Sequence, residues 1–298
     1  MISIIISSAN KNYLEAVKGS IAKTIGCEYE FLAYENAKGE RGICEIYNQG
    51  ADEARYDILC FMHEDIEYKT KDWGKIVLRI FSENPSLGLL GVAGGDYKSL
   101  APSSWFNFEA AASFPGKKYV NLIQGFKSIH KEPVHEFCNP KDQKLAEVAC
   151  VDGFWMCTKK TIFPSFKFDE KLLKGFHGYD IDYSIAVGQN YKVGVTFEIL
   201  LHHFSEGGST KEWVEAQAKI HKKWSSILPI NLTGSPLKDC LPYEKYYFRN
   251  FLKYAKHMGI SKASLTDIIQ SARASSAMSV YLYLKLRWYV HKLYTNPE

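Results

Sequence analysis

Apolar positions change period along this chain in a regular order. Ile2–Ser7 is a continuous β-branched run, the mark of a buried strand. Leu14, Val17, Ile21 and Ile25 then recur at spacings of three and four, which predicts an amphipathic helix over 11–25 with Gly26 at its C-terminal end. A second strand is predicted over 27–36, then the loop "AKGERG", then a helix over 42–55 with Ile43, Tyr47, Gly50 and Ala54 on one face. Residues 57–62 read as a third strand. Asp72 is the expected cap of a helix whose Trp73, Ile76, Val77, Ile80 and Phe81 share a face, and Asn84-Pro85 ends it. The run 87–95 reads as a fourth, buried strand. Strands that alternate with helices predict an α/β fold, Rossmann-like, with a doubly wound, mostly parallel sheet and helices on both faces.

The pattern then changes. Residues 96–147, with "APSSWFNFEAAASFPGKK" and "HKEPVHEFCNP", read as loop-rich and predict an irregular insertion. Residues 148–157 read as a strand broken by Gly153, 179–189 as a helix, and 196–204 as a late strand. From 210 to 298 the chain reads as helical apart from the loop-like "LPINLTGSPLKDCLP" at 228–242.

Composition narrows the function classes. At 298 residues and 46% hydrophobic content the chain can bury a large core. A net charge of +4 is too mild for a dedicated nucleic-acid binder, so no nucleic-acid partner is expected. The seven cysteines are scattered without a CxxC pair, which points to a reducing cytoplasm without disulfides or structural zinc. The start "MISIIISSAN" lacks a basic region before its short apolar run, and no stretch approaches the roughly 20 apolar residues of a membrane span.

The candidate chemistry gathers at strand ends. The third strand runs straight into His63-Glu64-Asp65, and Ser7, Ser8, Asn10, Glu35 and Asn36 also follow the carboxyl ends of predicted strands. In open α/β sheets that is where ligands bind.

Several motifs in order resemble a family-2-like glycosyltransferase of the GT-A fold, and more narrowly the group typified by the streptomycin-biosynthesis StrF-type domain. "SIIISSAN" resembles its first nucleotide-binding strand. "YNQGADEARYDILCFMHED" resembles the block that ends in its DxD metal motif, with His63 in place of the first Asp. "VDGFWMC", "FDE" and "HGYDIDYS" resemble the acceptor-side strand and the helix with the catalytic acid, and "LLHHFSEGGS" the late His segment. The resemblance implies a GT-A domain over 1–225. Within it, 1–96 is the nucleotide-binding half, 97–147 a loop-rich insertion and 148–225 the acceptor half. Residues 226–298 follow as a helical C-terminal extension.

What the resemblance implies about chemistry is specific. A divalent cation, Mn²⁺ or Mg²⁺, would sit on the diphosphate of a nucleoside-diphosphate sugar, a UDP-sugar being favoured, and stabilise the leaving oxygens. Asp65 is the leading metal ligand, joined by His202 or His203, of which one faces the site. His63 either suits Mn²⁺ or hydrogen-bonds ribose or phosphate. Glu64 is expected on the opposite face. Asp180 is the implied general base of an inverting reaction. Ser7, Ser8, Asn10, Glu35, Asn36, Arg41, Asn48, Gly95 and Asp96 are implied at the nucleotide sugar, and Asp152, Trp155 and His177 at a glycan or lipid-linked acceptor. A catalytically silent nucleotide-sugar or glycan-binding module is the competing reading.

The C-terminal tail has no acidic residue from Ile268 to Pro297, while Arg273, Lys285, Arg287 and Lys292 surround "YLYLKLRWYVHKLY". Packing of its Leu and Tyr groups onto the catalytic domain is one expectation. A helix lying in a membrane interface, with the protein peripheral to the inner face of the membrane, is the other.

Overall fold

The computed structural model describes residues 1–108, 110–127 and 131–295. Small parts of the expected insertion (109 and 128–130) and of the C-terminal extension (296–298) therefore lie outside the described residues. In chain order the elements begin β1 Ile2–Ser8, α1 Lys11–Thr24, β2 Tyr29–Glu35, α2 Ile43–Glu53, β3 Ile58–Met62, β4 Ile66–Tyr68, α3 Trp73–Glu83, β5 Leu87–Gly91, β6 Ala93–Gly95 and β7 Tyr97–Lys98. They continue with β8 Lys118–Phe126, β9 Lys131–Cys138, β10 Leu145–Glu147, β11 Cys150–Val151, β12 Trp155–Lys159, α4 Tyr179–Gly188, β13 Lys192–Thr196 and β14 Leu201–His203. Last come α5 Lys211–Lys223, β15 Ile230–Asn231, α6 Leu237–His257, α7 Lys262–Ser271 and α8 Val280–Thr295. The chain divides into two compact units. Met1–Gly94 joins Lys118–Gly207, and Gly95–Lys117 joins Gly208–Glu298. The boundary expected at 225 thus runs inside the second unit.

The first unit is built on a seven-stranded sheet ordered β10-β13-β5-β12-β3-β1-β2. Its parallel pairs are β1 with β2, β1 with β3, and β13 with β5. The apolar runs of β1, β3 and β5 are buried almost throughout, as strands covered on both faces must be. At the N-terminus of α1, Asn10 accepts from the Asn12 and Tyr13 N–H groups, and Gly26 takes the left-handed conformation (φ 69°) just beyond its end. Gly50 lets α2 lie close on β1, since a Cβ there would meet the Ile5 side chain at 2.4 Å. Asp72 precedes α3 with φ 57° and its carboxylate pairs with Lys75 at 2.9 Å, so the expected side-chain cap is replaced by an ion pair.

One strand reverses direction in the middle of the sheet. β12 is antiparallel to both neighbours, with Trp155 opposite Met62 and Cys157 opposite Cys60. Its start therefore lies beside the carboxyl end of β3, and the pairing extends one bond further, from the His63 N–H to the Phe154 carbonyl at 2.8 Å. The chain that enters β12 is delivered to the place where the parallel strands deliver their loops.

A second sheet, ordered β11-β6-β8-β14-β4 with β9 on β8, corrects two expectations. The stretch read as irregular carries the long β8–β9 hairpin. β9 (KEPVHEFC) is almost wholly exposed and has no apolar alternation, so its sequence reads as loop. The late strand expected over 196–204 does not run continuously: β13 of the first sheet ends at Thr196, and only Leu201–His203 (β14) is strand, in the second sheet, where it pairs with β4 and β8.

The second unit holds the two-stranded β7–β15 ladder and α5–α8. Glu244 of α6 is fully buried and accepts from the Tyr97 and Ser99 hydroxyls and the Leu100 and Ala101 N–H groups. The segment 237–242, expected as loop, is already helical and contains Pro242. Leu282, Leu286 and Val290 of α8 are buried at a spacing of four. Among the described residues no helix is long and apolar enough to cross a membrane.

Candidate active site

The turn after β3 places three consecutive polar side chains. His63 is held by its backbone bond to Phe154, and its Nε2 lies 2.8 Å from the Tyr179 hydroxyl. That contact leaves Nδ1 turned toward Asp65, 3.9 Å from Oδ1. Asp65 is fixed by its backbone: its carbonyl accepts from the Phe204 N–H at 2.9 Å, and the ladder sets His203 opposite Ile66. His203 Nε2 consequently lies 3.6 Å from Asp65 Oδ1, an ion-pair distance rather than a hydrogen bond. The His203 ring stacks on Phe154 with centroids 4.6 Å apart and an 11° interplanar angle. The Ser205 hydroxyl donates to Asp65 Oδ2.

One ligand atom from each of His63, Asp65 and His203 falls within a 4.8 Å span. His203 Nε2 is buried and has no hydrogen-bond partner. An unpartnered buried nitrogen aimed at a carboxylate, with a second imidazole beside it, is a donor set that could hold a divalent cation. Two imidazoles favour Mn²⁺ over Mg²⁺, which prefers oxygen alone. The Tyr179 hydroxyl on the far nitrogen of His63 is the orienting partner such ligands usually have.

Electrostatics agree with this donor set. Burial opposes ionisation of Asp65, but His203, His63 and the Ser205 hydroxyl outweigh it and hold the carboxyl well below its usual range. Burial, with the neighbouring His203, pushes His63 below the ordinary imidazole range against the pull of Asp65. Near neutral pH Asp65 is thus ionised and His63 neutral, the states in which each can accept a cation.

The residues expected around it divide by their surroundings. Asp180 stands in the first turn of α4, and its Oδ2 accepts from the Gly153 N–H at 3.2 Å. Asp152 Oδ1 accepts from the Phe154 N–H at 3.1 Å, so the 152–154 turn joins the stacking partner of His203 to the segment holding Asp180. His177 is half-buried beside the exposed Phe176, whose ring lies 5.2 Å from His63. Ser8 and Asn10 lie at the carboxyl end of β1. Ser7 Oγ accepts from Asn36 Nδ2 at 3.5 Å, and Asn36 also closes the following loop through both backbone groups of Arg41. Arg41 pairs with Glu45 and Gln49, while Glu35 ends β2 exposed.

Some expected roles are displaced by structural ones. Trp155 is fully buried and its indole N–H donates to the Tyr68 hydroxyl at 2.8 Å, so it offers no face to an acceptor. Asn48 is buried and clamps the 168–170 loop through the Phe168 backbone and Glu170. His202 projects from the other side of β14 from His203 and lies 4.4 Å from the Phe204 ring, away from the Asp65 cluster. Gly95 and Asp96 belong to the second unit. A Cβ on Gly95 would meet the Trp105 carbonyl at 2.7 Å, and Asp96 is buried and accepts from the Lys117 N–H at 2.7 Å.

Glu64, expected on the face opposite His63 and Asp65, has partners there that the sequence did not show. Its carboxylate accepts from the Ser8 hydroxyl at 2.6 Å and from the Ala9 and Asn10 N–H groups at 3.0 and 2.8 Å. Strand alternation turns it away from His63 and Asp65, toward the loop after β1. Tyr179 and Phe154 were equally hidden, because both act through contacts between distant segments.

A family model described as a glycosyltransferase-like family matches residues 3–225. No curated protein matches the chain. Among solved structures, GalNAc-T7 with UDP, GalNAc and Mn²⁺ aligns over 99% of this chain and 57% of its own, with TM-score 0.55 and 11% identity. S. aureus TarS 1–349 aligns over 98% of this chain and 87% of its own, at 0.53 and 13%. The mannosyltransferase PcManGT from Pyrobaculum calidifontis, in complex with GDP-Man and Mn²⁺, aligns over 100% and 88%, at 0.50 and 11%. The chain spans little more than half the length of the GalNAc-T7 chain and 53% of a longer TarS chain. At such identities the likeness establishes the fold, which is GT-A: a parallel-rich α/β sheet with helices on both faces. The family match covers well over half of the 298 residues, and with it the chain belongs to the glycosyltransferase-like family.

Proposed function

We propose that the chain transfers a sugar from a nucleoside-diphosphate sugar, with a UDP-sugar favoured, to a glycan or lipid-linked acceptor by an inverting, metal-assisted reaction. Within the family, the StrF-type group is the subgroup its motifs resemble. The observation that carries the reading is the His63–Asp65–His203 cluster at the carboxyl end of β3, with one buried nitrogen left without a partner. Neighbours of the same fold are described with UDP, UDP-GlcNAc or GDP-Man, two of them with Mn²⁺.

His63, Asp65 and His203 would hold the cation. When bound, it would supply Lewis-acid stabilisation to the departing diphosphate. Ser8 and Asn10, in the loop braced by Glu64, stand where the nucleotide would enter, and Ser7, Asn36 and Arg41 form the neighbouring wall. Asp180 would accept the proton of the attacking hydroxyl. The Gly153 N–H donates to its Oδ2 and helps hold the carboxylate in place.

The test is donor hydrolysis, with release of nucleoside diphosphate followed while Mn²⁺ is titrated. Turnover should depend on Mn²⁺, and Asp65→Asn should lower it by about 10²-fold or more while weakening Mn²⁺-dependent donor binding. An Asp65→Asn protein with the turnover and Mn²⁺ response of the parent would remove the metal assignment. Tight donor binding by the parent without turnover would favour the silent binding module.

A further inference from the structure

Helix α8 carries two apolar stripes. Leu282, Leu286 and Val290 are buried in the second unit. Val280, Leu284 and Trp288 repeat the same spacing two residues earlier, which puts them roughly 160° away around the helix. These three are 74%, 59% and 61% exposed, and Tyr281 beside them is 67% exposed. A helix that only completes a core needs the first stripe. The second faces water with large aliphatic and aromatic groups, an arrangement that marks an interaction surface.

The charges along its flanks identify the partner. On one side the Lys285 Nζ lies 5.3 Å from the Tyr281 ring and the Lys292 Nζ 5.8 Å from the Trp288 ring. Arg287 and His291 line the other side, both exposed. No acidic residue occurs from Ile268 to Pro297. The nearest preceding one, Asp267, is ion-paired with Lys222 at 2.9 Å. Cations on both edges oppose pairing with a second copy, which would set like charges against each other. Trp and Tyr with flanking Lys and Arg are the side chains that settle at the level of lipid headgroups, their rings in the boundary and their charges toward phosphate.

We infer that the exposed stripe of α8 docks the protein in the plane of an anionic lipid surface. The helix has 16 residues and cannot span a bilayer, so the contact is interfacial. The inference uses no donor and no metal, and it stands or falls apart from the sugar-transfer reading.

The experiment is co-sedimentation of the full chain with vesicles of phosphatidylcholine alone and of phosphatidylcholine with phosphatidylglycerol. Binding is expected to the mixed vesicles only, and to fall as salt rises, since charge attraction is screened over about 10 Å at 0.1 M. Lys285→Glu with Lys292→Glu should lower the partition coefficient at least 25-fold, from roughly fivefold for each cation near the surface. Leu284→Ser with Trp288→Ser should lower it as well. All four side chains are exposed, so melting temperature and donor hydrolysis should stay at parental values, which separates lost docking from lost folding. Sedimentation that ignores phosphatidylglycerol, or that survives both pairs of substitutions, overturns the inference. So does a concentration-dependent dimer broken by Trp288→Ser in a protein that never binds vesicles.

Discussion

Gly153 sits between the two halves of the candidate chemistry, and adding a single methyl group there tests whether they share a support. A Cβ at Gly153 would lie 2.5 Å from the Tyr179 hydroxyl oxygen, 2.6 Å from its Cζ and 2.8 Å from the Asp180 Cβ. Ordinary contact requires about 1 Å more, so α4 must retreat or the 152–154 turn must buckle. Either movement pulls Tyr179 from His63, to which it is bonded at 2.8 Å, and shifts Asp180 from the Gly153 N–H. Overpacking of this kind costs about 1–3 kcal/mol, partly offset by about 0.4–1 kcal/mol from the stiffer unfolded chain. The net cost, roughly 0–2.6 kcal/mol, corresponds to a melting temperature lowered by up to roughly 10 °C in a unit of this size. The rate should suffer more than the stability, because a displacement near 1 Å in a reacting constellation costs about 10²-fold. Gly153→Ala should therefore be folded at 25 °C, melt a few degrees early and release nucleoside diphosphate about a hundredfold more slowly. Thermal melting by circular dichroism and the Mn²⁺-dependent hydrolysis assay read the two effects separately. A Gly153→Ala protein within twofold of parental turnover would show that neither His63 nor Asp180 depends on this packing.

Three other side chains give outcomes that can be read in the same way. Asp180→Asn keeps an acceptor for the Gly153 N–H, so donor KM should hold while kcat falls by about 10²–10⁴-fold; loss of donor affinity at an unchanged kcat would place Asp180 outside the chemical step. Glu64→Ala removes three bonds that brace Ser8–Asn10 and should raise donor KM severalfold with a stability loss of about 1–3 kcal/mol, read by hydrolysis kinetics and denaturant titration; an unchanged KM would detach that loop from the nucleotide. Burial and then Lys98 hold His221 well below the ordinary imidazole range, against the bond to the Leu100 carbonyl. The unfolded chain therefore takes up a proton that the fold refuses, and stability should fall as pH drops below about 6.5. His221→Gln should flatten part of that slope in melts between pH 7 and 5, and a parental slope in the variant would refute the assignment.

The parallel core was legible because buried strands and amphipathic helices write their periods directly into β1, α1, β3, α3 and β5. The hairpin strand β9 was not, since an exposed strand of Lys, Glu and Pro has no apolar period to read. The nearness of Asp65 and His63 follows from the strand end alone, and which of His202 and His203 comes close to Asp65 needed the pairing with β4, which decides the face. The structural partners of Asn48 and Trp155 were hidden for a shared reason. Each makes hydrogen bonds to segments far along the chain, and a local motif carries no trace of such partners. Glu64 was missed because alternation tells which way a side chain turns and not what waits on that side.

The bracing carboxylate of Glu64 stands between two members of the cation cluster. Whatever orders the loop after β1 restrains the turn that presents His63 and Asp65, and whatever restrains that turn orders the loop. Two ligands that pull on one strut are thermodynamically linked, and linkage is symmetrical: if a nucleotide tightens the cation by some factor, the cation tightens the nucleotide by the same factor. On the proposed function, neither would arrive at full strength alone, and the short turn after β3 would act as a coincidence detector for the pair.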